Sequence, residues 1–312
     1  MYERSSFGSR SVSRRGFLRV ALGAGIFAFV EKSAMAQSII RKPIPKTAES
    51  LPVVGLGTWQ TFDVGPGKSA REPIKEVLRE FVRSGGSVID SSPMYGKSET
   101  VAGDLAAELS VHKQLFLATK VWTSGREAGI QQMEESFKRL RTQRMDLMQV
   151  HNLVDYRTHL ATLRRWKEQG KIRYIGVTHY TASAYDELAR VLVSEDPDFV
   201  QLNYSIVERE AERRLLPLAA DKRIAVLANR PLAGGGLFSR VRGKSLPAWS
   251  KEIGCASWAQ FFLKFVVSHP AVTCAIPATS KVDHLVDNMQ VTLGPVPDAP
   301  TRERMARHIG EL

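Results

Sequence analysis

The chain has 312 residues, 43% of them hydrophobic and 24% charged, with a formal net charge of +12. That is ordinary globular composition with enough apolar material for a buried core, which excludes a disordered chain or one that depends on staples. The basic excess does not indicate nucleic acid. Six basic and two acidic side chains fall in the first 36 residues. The rest of the excess, including Arg139, Arg141, Arg144 and Arg164, is scattered over expected helix surfaces without interleaved aromatics.

Residues 1–36 read as an export signal. Ser13-Arg14-Arg15-Gly16-Phe17-Leu18-Arg19 precedes the uncharged run Val20–Val30, then Glu31-Lys32 and Ala34-Met35-Ala36. A basic start, a short apolar middle and small residues two apart describe a secretory signal peptide. The paired arginines followed by Phe-Leu resemble the twin-arginine (Tat) type, which implies transient use of that machinery, export of a folded protein and a periplasmic destination. Cleavage after Ala36 leaves residues 37–312, and the apolar run is too short to span a bilayer comfortably. Gly23-Ala24-Gly25-Ile26-Phe27-Ala28 imitates a dinucleotide fingerprint, but no strand precedes it.

Beyond the signal, apolar runs alternate with amphipathic segments. Ser38–Ser50 is expected to form a short hairpin at the bottom of the fold. Strands are expected at Leu51–Leu56, Ser87–Asp90, Leu115–Thr119, Met145–Val150, Ile172–Val177, Phe199–Leu202, Ile224–Ala228 and Val272–Ile276. Helices follow them at Pro73–Ser84, Ser98–Leu109, Arg126–Leu140, Thr158–Gln169, Ala182–Val193, Arg209–Ala220, Trp258–Ser268 and Val282–Met289. Pro73–Ser84 shows the pattern: Ile74, Val77, Leu78 and Phe81 share one face, and Gly85-Gly86 stops the helix. Strands apolar on both faces are what a buried parallel sheet requires. Eight strand–helix units indicate an α/β fold of the (β/α)8 TIM-barrel type, a single domain over 37–312. An open doubly wound sheet would carry a glycine fingerprint after its first strand, and Gly55–Gln60 lacks the third glycine. Cys255 and Cys274 sit in apolar runs and read as buried free thiols, although an oxidising compartment also permits a disulfide. No spacing of His, Cys, Asp or Glu suggests a metal.

Barrel chemistry gathers where the strands end. Asp90 ends the second strand and Tyr95 lies five residues on. Lys120 follows the third strand and His151 the fourth. A phenol is a weak acid near neutrality, with a pKa of roughly 10. A nearby ammonium favours its anion, a carboxylate holds that ammonium, and a histidine can orient a carbonyl oxygen. Each residue alone has a structural explanation, whereas all four at consecutive strand ends read as a proton-donating site. Glycoside chemistry on the same barrel would need an opposed carboxylate pair at strand ends, and none is found.

These residues resemble the aldo-keto reductase family. The matching stretches run from Val53 to about Asn288. They are Gly55–Trp59 (GLGTW), the segment Asp90-Ser91-Ser92-Pro93-Met94-Tyr95-Gly96-Lys97-Ser98-Glu99, Ala118–Trp122 (ATKVW), Asp146–Asn152 (DLMQVHN), Gly170–Thr178 (GKIRYIGVT), Gln201–Ser205 (QLNYS) and Ile276–Ser280 (IPATS). The resemblance implies reduction of aldehydes or ketones by hydride from NADPH, with NADH as the second candidate. Tyr95 is then the general acid, tuned by Asp90 and Lys120, and His151 aligns the carbonyl. Trp59, Trp122 and Asn152 fall at substrate-pocket positions. Thr58, Thr178, His179 and Gln201 fall at nicotinamide-side positions, Asn229, Arg230, Leu232 and Gly234 on the loop after strand seven, and Ile276, Thr279, Ser280, Lys281 and Asn288 at the far end of the cofactor. Several positions depart from the family pattern: Thr178 and His179 stand where the family usually has Ser-Asn on the nicotinamide carboxamide, Thr178 keeping the hydroxyl and His179 a donor of different geometry. Asn229 stands where an aromatic ring usually stacks on nicotinamide, and Arg230 beside it is expected to contact a phosphate or ribose. Ala278 and His284 stand where a lysine and an arginine usually hold the adenosine phosphate, which loses a bidentate fork. A second expectation from these departures is a cofactor-binding regulatory or redox-sensing subunit with little turnover.

Overall fold

The computed structural model describes residues 38–312. The expected export segment and Arg14-Arg15 lie outside the described residues.

The described chain opens with an antiparallel hairpin of β1 (Arg41–Pro43) and β2 (Ser50–Pro52). Eight parallel strands follow: β3 (Leu56–Gly57), β4 (Val88–Asp90), β5 (Phe116–Val121), β6 (Met145–Val150), β7 (Ile172–His179), β8 (Phe199–Asn203), β9 (Ala225–Asn229) and β10 (Cys274–Ala275). Each pairs with the next in chain order. The sheet closes through parallel bridges Val54↔Ala275 and Gly57↔Ala278, carried by backbone bonds such as Gly55 N–H to the Ala275 carbonyl at 2.8 Å. A Cβ on Gly55 would lie 3.0 Å from the Val88 side chain and 3.2 Å from Cys274 Sγ, so glycine permits this close approach.

The intervening helices are α1 (Lys68–Arg83), α2 (Ser98–Glu108), α3 (Arg126–Arg139), α4 (Tyr156–Glu168), α5 (Tyr185–Glu195), α6 (Leu215–Asp221), the short α7 (Gly236–Arg240), α8 (Trp258–Val267) and α9 (Val282–Met289). The eight expected units are therefore present. Their apolar stripes, for example Ile74, Val77, Leu78 and Phe81 of α1, are buried against the barrel wall. A second apolar cluster joins Ile44 and Leu51 of the hairpin region to Val88, Phe116 and Phe199, each the first residue of its strand. The hairpin thus stoppers the end where strands begin and leaves the opposite mouth for chemistry.

Apart from shifts at the ends of several elements, three differences from expectation stand out. Leu51–Leu56 is not one strand, because Leu51 and Pro52 pair with β1, whereas Val54 bridges Ala275 and Leu56-Gly57 pairs with β4 in the barrel sheet. The expected helix Arg209–Ala220 breaks at Arg214 (φ −144°, ψ −51°), leaving a 3-10 turn at Glu210–Arg213 before α6. A further helix, α10 (Ala299–Gly310), goes beyond the expected elements. Its start is capped by Asp298, whose carboxylate accepts the Thr301 N–H at 2.9 Å. Its buried face is Arg302, Met305 and Ile309. The Arg302 guanidinium bonds Glu212 at 2.8 Å and the Tyr204 hydroxyl, and lies 4.6 Å from the Phe265 ring centre. Cys255 and Cys274 are both buried free thiols. Among the described residues, no helix is long and apolar enough to cross a membrane.

Candidate active site

Asp90, the last residue of β4, is buried. Its Oδ2 accepts from Lys120 Nζ at 2.6 Å, and Lys120 also donates to the Ser91 carbonyl at 2.7 Å. Its Oδ1 accepts two amides, Gln201 Nε2 at 2.8 Å and Gln149 Nε2 at 3.1 Å. Both oxygens of the buried carboxylate are thus engaged, as a buried charge requires.

Tyr95 sits on the tight turn between β4 and α2. Its N–H donates to the Ser92 carbonyl at 3.0 Å and its carbonyl accepts from Ser98 N–H at 3.1 Å. Gly96 holds φ +59°, and a Cβ there would overlap the Asp63 carboxylate. That carboxylate receives the Lys97 N–H at 2.9 Å, so the turn and its phenol are pinned from outside. The Tyr95 ring centre lies 5.0 Å from Lys120 Nζ and 6.0 Å, edge to face, from the His151 ring. His151 follows β6 directly, and its Nδ1 lies 3.2 Å from Ser92 Oγ. The four expected catalytic residues therefore converge at one mouth of the barrel.

The electrostatics refine the expectation. Burial alone would lower the Lys120 ammonium, but Asp90 and then Tyr95 outweigh it and hold its pKa above the ordinary value. Burial pushes the Tyr95 phenol up, and Asp90 adds to this, while Lys120 pulls down without winning. The expected acidified tyrosine is thus corrected: in the resting protein the phenol is a weaker acid than free tyrosine, because desolvation exceeds the ammonium's attraction. Burial first, then the Lys120 charge, lowers His151 to about 3, so its imidazole is neutral at ordinary pH.

At the pocket positions, Trp59 and Trp122 are 48% and 42% exposed, too open to be wall packing. Trp122 lies 6.4 Å from the His151 ring. Asn152 holds φ +52°, and its Oδ1 is buried without a partner.

The cofactor positions divide. Thr58 is fully buried, and its hydroxyl bonds the Asp90 carbonyl at 3.1 Å and Ser91 Oγ at 2.9 Å, so that side chain braces the site rather than facing the mouth. Gln201 is committed to Asp90. Thr178 and His179 end β7, with His179 Nδ1 accepting the Thr181 N–H at 3.3 Å. Asn229 ends β9, and its Oδ1 is a buried acceptor without a partner. The following turn, Arg230–Gly235, runs through positive φ at Arg230, Ala233, Gly234 and Gly235, and is half-buried at Ala233. Leu232 on the same turn packs against the core. The Arg230 guanidinium lies over Gly234 and 3.8 Å from Glu208. Ile276 is buried and donates its N–H to the Ala228 carbonyl at 3.0 Å. Thr279 Oγ1 accepts the Lys281 N–H at 3.1 Å and shapes the turn into α9, where Ser280 and Lys281 are exposed and Asn288 is buried.

Gln149 escapes the sequence reading, although a polar residue two before His151 in an apolar strand marks the same inward face. Glu99 escapes it as well. It is fully buried, accepts Thr119 Oγ1 at 2.5 Å and stands 3.6 Å from Arg139, which ties the start of α2 to β5 behind Lys120. Burial pushes its carboxyl up. Two cavities, of about 400 and about 390 Å³, lie elsewhere and contain none of Asp90, Tyr95, Lys120 and His151. Among the described residues, no group of His, Cys, Asp or Glu is arranged to hold a metal.

At this mouth a buried Lys–Asp pair thus lies beneath a phenol and beside a neutral imidazole, and the comparisons place the barrel that carries them in a family of oxidoreductases. The family model described as "Aldo/keto reductase family" matches residues 53–299. A methylglyoxal reductase of Escherichia coli is 32% identical over 252 residues, covering 78% of this chain and 86% of that protein. An NADH-specific methylglyoxal reductase of the same organism is 28% identical over 240 residues, covering 67% of this chain and 72% of that protein. The crystal structure of an aldo/keto reductase from Klebsiella pneumoniae in complex with NADP and acetate superposes with TM-score 0.70 at 26% identity, covering 83% of this chain and 92% of that one. The chain belongs to the aldo/keto reductase family and is an oxidoreductase.

Proposed function

We propose that the protein reduces aldehydes or ketones to alcohols with NADPH, or with NADH as the second choice, and that Tyr95 delivers the proton. The carrying observation is the stack of Asp90, Lys120 and Tyr95 beside neutral His151 at the open mouth.

The fit to a nicotinamide cofactor rests on this chain's own groups. Asn229 presents an orphaned buried acceptor at the rim, Thr178 and His179 close β7 two strands away, and the Gly234–Gly236 turn exposes backbone without side chains. Arg230 over that turn supplies positive charge for a phosphate. Lys281 and Ser280 remain as exposed contacts for a 2′-phosphate. When bound, the reduced nicotinamide supplies the hydride that converts the carbonyl carbon to an alcohol carbon.

The protein handles the other half of the reaction, the proton. His151 is neutral, so one ring nitrogen can donate to the carbonyl oxygen while Nδ1 meets Ser92. The Tyr95 O–H bond breaks toward the same oxygen as negative charge builds there. The raised phenol keeps its proton at any ordinary pH, so the acid is always loaded. An alkoxide is a far stronger base than phenolate, so transfer runs downhill, and Lys120 in a dry site stabilises the phenolate left behind. Solvent then restores the proton. Alcohol oxidation would need phenolate at the outset, so this environment favours reduction near neutrality. The exposed Trp59, Trp122 and Met94 suit a carbonyl with an apolar substituent.

Tyr95→Phe tests the assignment. Reduction of methylglyoxal or an aromatic aldehyde, followed by loss of reduced-cofactor absorbance, is expected to fall by about 10²–10⁴, while cofactor binding by fluorescence titration stays within twofold. Near-normal turnover overturns the role of Tyr95. NADPH and NADH titrated in parallel settle the preference, with tighter NADH reversing it.

The reading further includes export through the twin-arginine route to the periplasm, supported by Arg14-Arg15 and the apolar run that follows. An Arg14→Lys/Arg15→Lys chain is expected to stay in the cytoplasmic fraction. Equal recovery of both forms in the periplasm refutes the route.

A further inference from the structure

We propose that Asn229 recognises the carboxamide of the nicotinamide ring through its side-chain oxygen, and that the charge on Asp90 dictates the orientation of that oxygen. The inference rests on the reading of the mouth as a nicotinamide site.

The reasoning starts from what each group can donate. The Asp90 carboxylate, paired with Lys120, accepts hydrogen bonds and donates none. Gln201 must therefore turn its NH2 toward Asp90 Oδ1, as the 2.8 Å contact shows. Its oxygen is then fixed on the opposite side. There it faces Asn229, whose Nδ2 lies 3.4 Å from Gln201 Oε1. Two oxygens facing each other would repel, so Asn229 presents its NH2 to Gln201. Its Oδ1 is left pointing away as a pure acceptor. That atom is buried and has no partner. One carboxylate thus sets the direction of two successive amides, and the relay ends at the rim in an acceptor that lacks a donor.

An unmet buried acceptor is costly, so a ligand that supplies an N–H there binds more tightly. The position narrows the choice. Asn229 closes β9, in register with Asn203 of β8, one amide removed from the Asp90–Lys120 pair. The end of the cofactor that reacts must lie near that pair, and its N–H donor is the carboxamide. Asn229 thereby offers a directed hydrogen bond where a stacking aromatic ring would read only the face of the ring.

The test uses a cofactor changed at that group alone, the 3-acetylpyridine analogue of NADP⁺, which carries a methyl in place of the amide NH2. Dissociation constants are measured by quenching of the intrinsic tryptophan fluorescence for both cofactors. The unmodified protein is expected to bind the analogue about tenfold more weakly than NADP⁺. Asn229→Leu is expected to bind the two within twofold of each other, at the weaker level. Asn229→Ala serves if the leucine variant fails to fold. Asp90→Asn, which removes the fixed acceptor and frees Gln201 to turn over, is expected to shrink the discrimination without abolishing binding. Equal binding of both cofactors by the unmodified protein overturns the inference, as does full discrimination retained by Asn229→Leu. Binding of neither cofactor overturns the nicotinamide reading itself, an outcome distinct from the other two.

Discussion

Lys120→Met removes the ammonium and keeps most of the side-chain volume. Lys120 is fully buried, and its ammonium hydrogens serve the Asp90 carboxylate at 2.6 Å, the Ser91 carbonyl at 2.7 Å and the phenol side of the site. In the variant, Asp90 keeps the two glutamine amides but carries an uncompensated buried charge. Breaking a buried pair from one side costs about 3–5 kcal/mol. For a domain of this size each kcal/mol lowers Tm by about 2–4 °C, so a fall of about 6–20 °C is expected. Adding Asp90→Asn removes the stranded charge and is expected to recover at least half of the loss, while activity stays down by at least about 10² in both variants. Urea unfolding and thermal scans of the two single variants and the double variant measure the coupling. The reasoning is refuted if Lys120→Met melts within about 2 °C of the parent protein, or if the double variant is less stable than Lys120→Met.

His151 is held near 3 when folded against an ordinary 6.5, so between those pH values the unfolded chain binds a proton that the folded one refuses. Its contribution is complete above pH 6.5 and lost as pH falls toward 3, by up to about 1.4 kcal/mol per pH unit; His151→Asn should flatten that slope in urea midpoints taken at about pH 4.5 and 7. Gly103→Ala would drive a Cβ into the Arg139 carbonyl, so α2 and α3 must separate. A stability loss of about 3 kcal/mol is expected, and a change below about 0.5 contradicts the packing. Arg302→Met takes a buried guanidinium away from Tyr204 and Glu212 beneath α10, while Arg209 still pairs with Glu212 at 2.6 Å, so urea unfolding is expected to show a loss of about 2 kcal/mol with an unchanged cofactor dissociation constant. Trp122→Ala should raise KM for an aromatic aldehyde about tenfold and for methylglyoxal far less; equal effects on both would remove Trp122 from substrate contact.

The barrel is legible in the sequence because its signals are local. Most strands are apolar runs that end at a polar residue or glycine, and helices such as α1 and α4 carry an apolar stripe at helical spacing. The helix α10 is not legible, because one of its three buried positions is Arg302, whose long charged side chain reads as surface until Glu212 and Tyr204 are seen to meet it. The hairpin strand ending at Pro52 merges with β3 in a sequence reading because Leu51–Leu56 is almost uniformly apolar and nothing in its composition marks where one partner is exchanged for another. At the site, Asp90, Tyr95, Lys120 and His151 can be named from strand ends. The sign of the Tyr95 shift cannot, since it depends on how dry the turn is. Gln201 likewise looks like a cofactor contact, and its bond to Asp90 depends on β4 and β8 meeting across the barrel, four strands apart in chain order.

The join between β3 and β10 gives the cylinder an unequal hoop. Four residue pairs hold β5 to β6, whereas only two hold β10 to β9, and the far side of β10 is tied by isolated bridges at Val54 and Gly57. Ile276, Thr279 and the turn into α9 hang directly from this thin stave. Whatever docks on those residues therefore also rivets the hoop, so occupancy of the mouth and tightness of the wall rise and fall together.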